Sequence, residues 1–391
     1  MPSLFLPTPD GRIETYNVTG IPQAFSVPSA PFNRVAYSAA HVVADPLANN
    51  TPWLDESIDW ETTIAFRHHL WDLGLGVAEA MDTAQRGMGL SLAGAQQLIR
   101  HSLHAAQSRP NALIACGVGT DQLTGQLTAD SGPTIDDVIR AYEEQIEFVE
   151  SLGGRIILMA SRALVNAARS PDDYLRVYSR ILRQTSQPVI LHWLGEMFDP
   201  ALAGYWGSAD HVTAMNVCVN LINSHSDKVD GIKISLLSAE KEIAMRRRLA
   251  PGVRMYTGDD FNYAELIAGD EQGFSDALLG IFDAIAPAAS AALACLAMGD
   301  EAGFHAILAP TVPLSRHIFQ APTRFYKTGI VFLAYLNGFQ DHFVMLGGQQ
   351  SARSLVHLAE LFRLADAARV LRDPDLATLR MKQFLAVGGV Q

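Results

Sequence analysis

Eight short apolar, β-branched runs bounded by turn residues, separated by segments of helical periodicity, constrain this chain more than any other feature. They are "RVAYSAAHVV" (34–43), "GVAEAMD" (76–82), "NALIACGVG" (111–119), "GRIILMA" (154–160), "PVILHWL" (188–194), "VDGIKIS" (229–235), "VRMYTGDD" (253–260) and "GFSDALLGI" (273–281). Between them, stretches such as "TIDDVIRAYEEQIEFVESLG" and "PDDYLRVYSRILRQ" carry apolar residues at three- and four-residue spacing, the period of an amphipathic helix. Alternation of strand and helix gives right-handed βαβ units and a parallel sheet. A doubly wound sheet would carry a glycine-rich phosphate turn after its first strand, whereas here that strand runs into "SAAHVVADP". The expected fold is therefore α/β, a (β/α)8 TIM barrel over residues 31–300. An N-terminal segment, 1–30, precedes it. After Asp300 the pattern turns helical, with "RFYKTGIVFLAYLNGF" and "SARSLVHLAELFRLADAARVL" as its clearest members, so 301–391 reads as a helical C-terminal extension.

A formal charge of −12 argues against nucleic acid and anionic membranes, both of which need a basic face. With 49% apolar and 18% charged residues the chain is a compact globular one, and a small soluble partner fits best. Cys116, Cys218 and Cys295 lie far apart without a C-x-x-C pair, which indicates neither a disulfide framework nor a zinc knuckle and fits a reducing cytoplasm. The start "MPSLFLPTPDGRIETY" lacks the features of a secretory signal. The most membrane-like stretch, "GIFDAIAPAASAALACLAMG", carries Asp283 and Pro287 and reads as a buried helix.

Barrel enzymes work at the C-terminal ends of their strands. The residues to weigh there are His41, Glu79, Asp82, Thr120, Asp121, His192, Glu196, Lys233, Ser235, Asp259 and Asp260. Lys233 interrupts an otherwise buried strand. One reading is a desolvated amine with a lowered pKa, ready to form a Schiff base; the other is a lysine that snorkels to the surface. His192 titrates near neutrality when unperturbed and would move protons, although a strand histidine is more often a hydrogen-bonded core residue. Asp259 and Asp260 precede "FNYAELI", where Asn262 and Glu265 have capping-box spacing, so an acid there also has a purely structural reading. Glu79, Asp82 and His192, with His41 and Glu196 near, form an alternative divalent-metal set, although no H-x-H or H-E-x-x-H spacing supports it. "RFYKTG" (324–329) offers cations to an anion, but a solvated helix face is the plainer expectation.

The order "GVGT" after the third strand, "PVILHWLG" at the fifth, "DGIKIS" at the sixth and "TGDD" at the seventh resembles the dihydrodipicolinate synthase and N-acetylneuraminate lyase family of class I aldolases, over roughly residues 30–370. The resemblance implies a barrel with a helical C-terminal extension, a homodimer or homotetramer, no metal or other cofactor, and an imine between a lysine of the sixth strand and a 2-oxo acid. "GIKIS" carries the imine-forming role onto Lys233. Two departures stand out. The family's Y-N-x-P at the fifth strand is replaced by "ILHWLG", with His192 at the tyrosine and Trp193 at the asparagine. Its carboxylate-holding G-T-T-G-E turn is replaced by "DTAQR", Asp82 to Arg86, which keeps Thr83 alone and adds an acid.

The expectation is a Schiff-base lyase or aldolase acting on a small carbonyl compound, a keto-sugar or sugar-acid derivative in preference to plain pyruvate. Lys233 and His192 are its catalytic pair, and Glu79, Asp82, Thr83, Gln85, Trp193, Ser235, Asp259 and Asp260 line the substrate. The alternatives are a divalent-metal-dependent sugar isomerase, epimerase or lyase using Glu79, Asp82 and His192, and a non-catalytic metabolite-binding barrel.

Overall fold

The computed structural model describes residues 2–25, 31–127 and 132–390; the end of the expected N-terminal segment, 26–30, lies outside the described residues. A hairpin of β1 (Ser3–Pro7) and β2 (Ile13–Asn17) comes first. Then follow β3 (Ala36–Ala39), β4 (Gly76–Glu79), β5 (Ile114–Val118), β6 (Arg155–Leu158), β7 (Val189–Leu194), β8 (Val229–Ser235), β9 (Arg254–Thr257) and β10 (Asp276–Leu279). These eight are parallel, and β10 pairs with β3 to close the barrel. The chain is a (β/α)8 TIM barrel with further helices after it. Most strands are shorter than the apolar runs that announced them. In 34–43, only Ala36–Ala39 form the strand; residues 34–35 lead into it and 40–43 continue from it as a loop.

Alternation decides which side chains meet inside, because successive residues of a strand face opposite ways. Tyr37, Ala39, Ala78, Ala115, Ile157, Ile190, Tyr256 and Leu278 belong to one interior cluster, in which the alanines of β3–β5 leave room for Tyr37 and Tyr256. Register then places the rest. Lys233 pairs with His192 on one side and Tyr256 on the other, so the lysine and the histidine share the interior face with Tyr256. By the same parity Glu79, one residue past Ala78, and Trp193, one past His192, point outward beneath the helices.

The C-terminal helices cover the barrel and receive the N-terminal hairpin. Asp366, on the helix Leu355–Ala367, accepts hydrogen bonds from Tyr16 Oη at 2.7 Å, Thr19 N at 3.0 Å and Gly20 N at 2.8 Å. "GIFDAIAPAASAALACLAMG" folds as two helices, Ile281–Ala284 and Ala286–Ala297, with Pro287 in the first turn of the second, where its missing N–H is harmless. Among the described residues no helix is long and apolar enough to cross a membrane. The helix Tyr326–Leu336 is buried along its entire length, which overturns the expectation of a solvated face at "RFYKTG".

Candidate active site

Lys233 lies in the upper interior of the barrel, 8% exposed. Burial lowers its pKa, opposed by the through-space charges of Asp260 and Asp82, neither of which is within ion-pair distance. Its stem needs a glycine on the next strand. A Cβ on Gly258 would stand 2.8 Å from Lys233 Cε, 2.3 Å from Ser235 Oγ and 2.7 Å from Ile234 O. Because two of these three atoms belong to the strand wall and a buried hydroxyl, Gly258→Ala is expected to destabilise the protein by about 1–3 kcal/mol, as overpacked cores do. Urea unfolding measures it; an unchanged midpoint would mean the lysine stem moves freely.

His192, beside Lys233, is buried, with Nε2 3.4 Å from Ser235 Oγ and Nδ1 without a hydrogen-bond partner among the described residues. Burial, with the neighbouring lysine adding to it, holds its pKa well below the usual histidine value. A neutral imidazole offers a donor and an acceptor but carries no proton to give at pH 7. Asp260 is the better placed acid. Its Oδ1 accepts from Ile281 N at 2.9 Å, and burial pushes its pKa up to about 7, against the lowering effects of that N–H and of Lys233.

A pocket of about 90 Å³ opens at the ends of β4–β7, lined by Asp82, Arg86, Thr120, Asp121, Arg162 and His192 among others. The side-chain carboxylate of Asp82 accepts no hydrogen bond from a described residue, so it is available to a ligand. Arg86 holds Asp121 through Nη2–Oδ2 at 2.7 Å and Nε–Oδ1 at 3.0 Å and donates to Gly117 O at 2.6 Å, fastening the loop after β4 to the end of β5. Thr120 Oγ1 and Ser161 Oγ are 2.7 Å apart.

Several expected lining residues stand elsewhere. Glu79 is behind the wall, paired bidentately with Arg67 (Oε1–Nη2 and Oε2–Nε, both 2.9 Å) and accepting from Ser102 Oγ at 2.5 Å and Ala80 N at 2.8 Å. Its parity on β4 turns it away from the pocket, so it joins neither a substrate nor a metal set with Asp82 and His192. Among the described residues no three His, Cys, Asp or Glu side chains converge as metal ligands. Trp193 faces outward for the same reason, edge-on to Trp206 at 6.4 Å and to His211 at 6.1 Å. His41 is taken by Asp283, with Nδ1–Oδ2 2.8 Å, and Glu196 faces His211 at 3.3 Å.

Asp259 spends its carboxylate on the turn ahead of the helix Tyr263–Ala268: Oδ1 accepts from Phe261 N at 2.9 Å and Asn262 N at 3.1 Å, and Oδ2 from Asn262 Nδ2 at 2.8 Å. The capping box at Asn262 and Glu265 does not form, since Asn262 makes no side-chain cap bond. Gln85, at φ 65° in the left-handed region, donates through Nε2 to Met88 O at 3.1 Å and Leu346 O at 2.9 Å, bracing the loop against the C-terminal helices.

Two residues of "RFYKTG", the stretch expected to be a solvated helix face, come to the site from the extension. Tyr326 Oη is 2.8 Å from Thr83 Oγ1, and Asp82 and Asp260 add to the burial that holds its pKa well above the usual tyrosine value. Lys327 is 3% exposed and reaches Met88. The signal was present in "RFYKTGIVFLAYLNGF": a helix apolar all round is a buried helix, and the polar groups in its first turn are buried with it.

A protein-family model described as "Protein of unknown function (DUF993)" matches residues 4–390. No curated protein matches the sequence. Among solved structures, a putative dihydrodipicolinate synthetase from Pseudomonas aeruginosa superposes with a TM-score of 0.64 at 15% identity, covering 86% of this chain and 99% of that one. Dihydrodipicolinate synthase from Aquifex aeolicus gives 0.64 at 11% identity over 86% and 99%. YagE from E. coli K12, a prophage protein of the dihydrodipicolinic acid synthase family solved in complex with pyruvate, gives 0.62 at 13% identity over 91% and 99%. At these identities the likeness is one of fold, that of the dihydrodipicolinate synthase barrels.

Proposed function

The chain belongs to the family described as protein of unknown function DUF993, and we propose that it is a Schiff-base-forming lyase or aldolase of the class I type. The observation that carries this reading is Lys233, a lysine in the interior of a parallel barrel near its C-terminal mouth, desolvated and without an ion-pair partner among the described residues. The fold shared with dihydrodipicolinate synthase barrels, and the pyruvate held by YagE, support it. The substrate is a small hydroxylated carbonyl compound, a keto-sugar or sugar-acid derivative; the neighbouring pocket, of about 90 Å³ and lined by Asp82, Thr120 and His192, is sized for a small polar molecule.

In this reading the neutral amine of Lys233 attacks the substrate carbonyl, the carbinolamine loses water, and the iminium takes up the electron pair of the breaking C–C bond as an enamine; in the reverse direction the enamine gives that pair to the carbonyl carbon of the second reactant. Departure of water needs an acid, and Asp260, protonated up to about pH 7, supplies it. His192 and Ser235 take the role of hydrogen-bonding groups beside the imine, in place of the acid–base role expected of the histidine. In place of the family tyrosine, the Thr83–Tyr326 hydroxyl pair relays the proton to or from the cleaved carbon. Asp82 orients a substrate hydroxyl. A homodimer or homotetramer in the cytoplasm, acting without metal, completes the proposal; Leu47, Trp53 and Leu54, exposed together on one loop, support association between copies.

Sodium borohydride in the presence of pyruvate, dihydroxyacetone or a 2-oxo sugar acid tests the reading. The expected product is a reduced adduct on the peptide carrying Lys233, read by mass spectrometry. Protein left unlabelled by the whole set would count against it.

The pH profile follows from Asp260. Lys233 must be neutral, so the rate rises with pH as the amine loses its proton; Asp260 must be protonated, so the rate falls as pH climbs through about 7. Asp260→Asn is expected to slow imine formation and flatten the falling limb. A falling limb that survives in that variant would assign the acid elsewhere.

A further inference from the structure

Lys327, from the C-terminal helix layer, is a second buried lysine near the barrel mouth, and its surroundings differ from those of a structural cation. It is 3% exposed, on the first turn of the buried helix Tyr326–Leu336. Its Nζ makes one polar contact with the described residues, to Met88 Sδ at 3.2 Å. A thioether is a weak acceptor and carries no charge, while an ammonium has three donors. Buried donors are normally satisfied, and buried charges are normally paired. A position serving packing alone would be better filled by Met or Leu, in keeping with the apolar run Ile330–Ala334 that follows it in this helix.

The amine lies beside the pocket without lining it. Met88 directly follows the pocket residue Gly87, and Tyr326, the preceding residue of the helix, meets Thr83 beside Asp82. The charges acting on Lys327 are Asp82, Arg162, Asp199 and Arg324, and the first three of these line the pocket. Arg162 is engaged by Asp199 and Arg86 by Asp121, whereas Lys327, like Lys233, is a buried amine with no anionic partner among the described residues. Burial brings its pKa down to about 8, so it is still mostly protonated at neutral pH, and a bound anion would raise that value.

We infer that Lys327 is the receptor for a carboxylate on the substrate, delivered from the C-terminal extension to a barrel whose loop after β4 has an acid where such a group would otherwise be held. The inference rests on the small-carbonyl reading of the site and narrows it: the substrate is a hydroxylated oxo acid, its carboxylate at Lys327, its carbonyl at Lys233 and a hydroxyl at Asp82. Asp82 then works as a selector. A bare anion at the pocket meets its repulsion, whereas an acid that also presents a hydroxyl gains a hydrogen bond from the same group.

The test uses Lys233→Ala protein, in which no imine forms, so its outcome is independent of the Schiff-base chemistry. Pyruvate, a 2-oxo sugar acid, inorganic phosphate and neutral dihydroxyacetone are titrated by calorimetry into this protein and into Lys233→Ala with Lys327→Met or Lys327→Arg. The expected result is measurable binding of the 2-oxo sugar acid, weakened at least tenfold by Lys327→Met and partly restored by Lys327→Arg, with dihydroxyacetone indifferent to either change. Equal weakening of acid and neutral compound, no change, or no binding by any acid overturns the assignment. Phosphate binding tighter than every carboxylate overturns it as well. Lys327→Arg keeps the charge, so it answers the question if Lys327→Met fails to fold. Wild-type protein that gives no borohydride adduct but shows the expected binding pattern would fail the Schiff-base reading and leave this one standing.

Discussion

Replacing Lys233 with alanine is expected to remove all borohydride labelling and to lower turnover of the true substrate roughly 10³-fold or more, because the covalent route disappears with its nucleophile. Lys233→Arg should not rescue it, since a guanidinium stays protonated and does not form an imine. Stability should move the other way. Burial lowers the pKa of this amine, which means that the fold disfavours its charged form. Lys233→Met, similar in length and apolar, is therefore expected to match or exceed the wild-type melting temperature. Loss of activity with a retained or raised melting temperature identifies a group kept for chemistry. Full activity in Lys233→Ala, with substrate saturation unchanged, would remove the imine from the mechanism. A melting temperature lowered by several degrees in Lys233→Met would instead show that the lysine supports the barrel.

The largest loss of stability is expected from Glu79→Ala. Glu79 and Arg67 are both fully buried and joined by two hydrogen bonds, and Arg67 also donates to the carbonyl oxygen of His41. Removing the carboxylate leaves a guanidinium uncompensated between β4 and the helices Trp60–Asp72 and Leu92–Ala106. Breaking one side of such a pair costs about 3–5 kcal/mol. Chemical denaturation should show that drop in Glu79→Ala, and the double variant with Arg67→Met should recover a good part of it, because the stranded charge is then gone. The comparison also separates structural from metal-ligating roles for Glu79. Activity per folded molecule and metal content should both be unaffected by Glu79→Gln; a parallel fall in the two would restore the carboxylate to the site.

These two residues show how far the amino-acid order reaches. Glu79 and Lys233 are both charged residues set in apolar strands, and composition treats them alike. Alternation separates them, but only once the pairing is known: Lys233 shares a face with Ile190 and Tyr256 through the register of β7, β8 and β9, and Glu79 sits one residue off the interior position held by Ala78. In a barrel buried on both faces, strands read as continuous apolar runs, and the period-two signal that would tell inside from outside is erased. His192 and Trp193, adjacent in sequence, part ways for this reason, one into the mouth and the other behind the wall.

The chain's order by itself determined the eight strand–helix units, their parallel arrangement, the helical character of everything after Asp300 and the singular lysine of "VDGIKIS". Those are local properties, set by backbone propensity, hydrophobic period and turn residues, and neighbours in sequence suffice to specify them. Tertiary structure alone decided that Asp260 rather than His192 has a pKa about 7, that Asp259 is consumed by its own turn, and that Tyr326 and Lys327 reach the mouth from more than 90 residues beyond Lys233. Burial, field and contact depend on groups brought together only when the barrel closes and the last helices pack on it, and no window along the chain contains them.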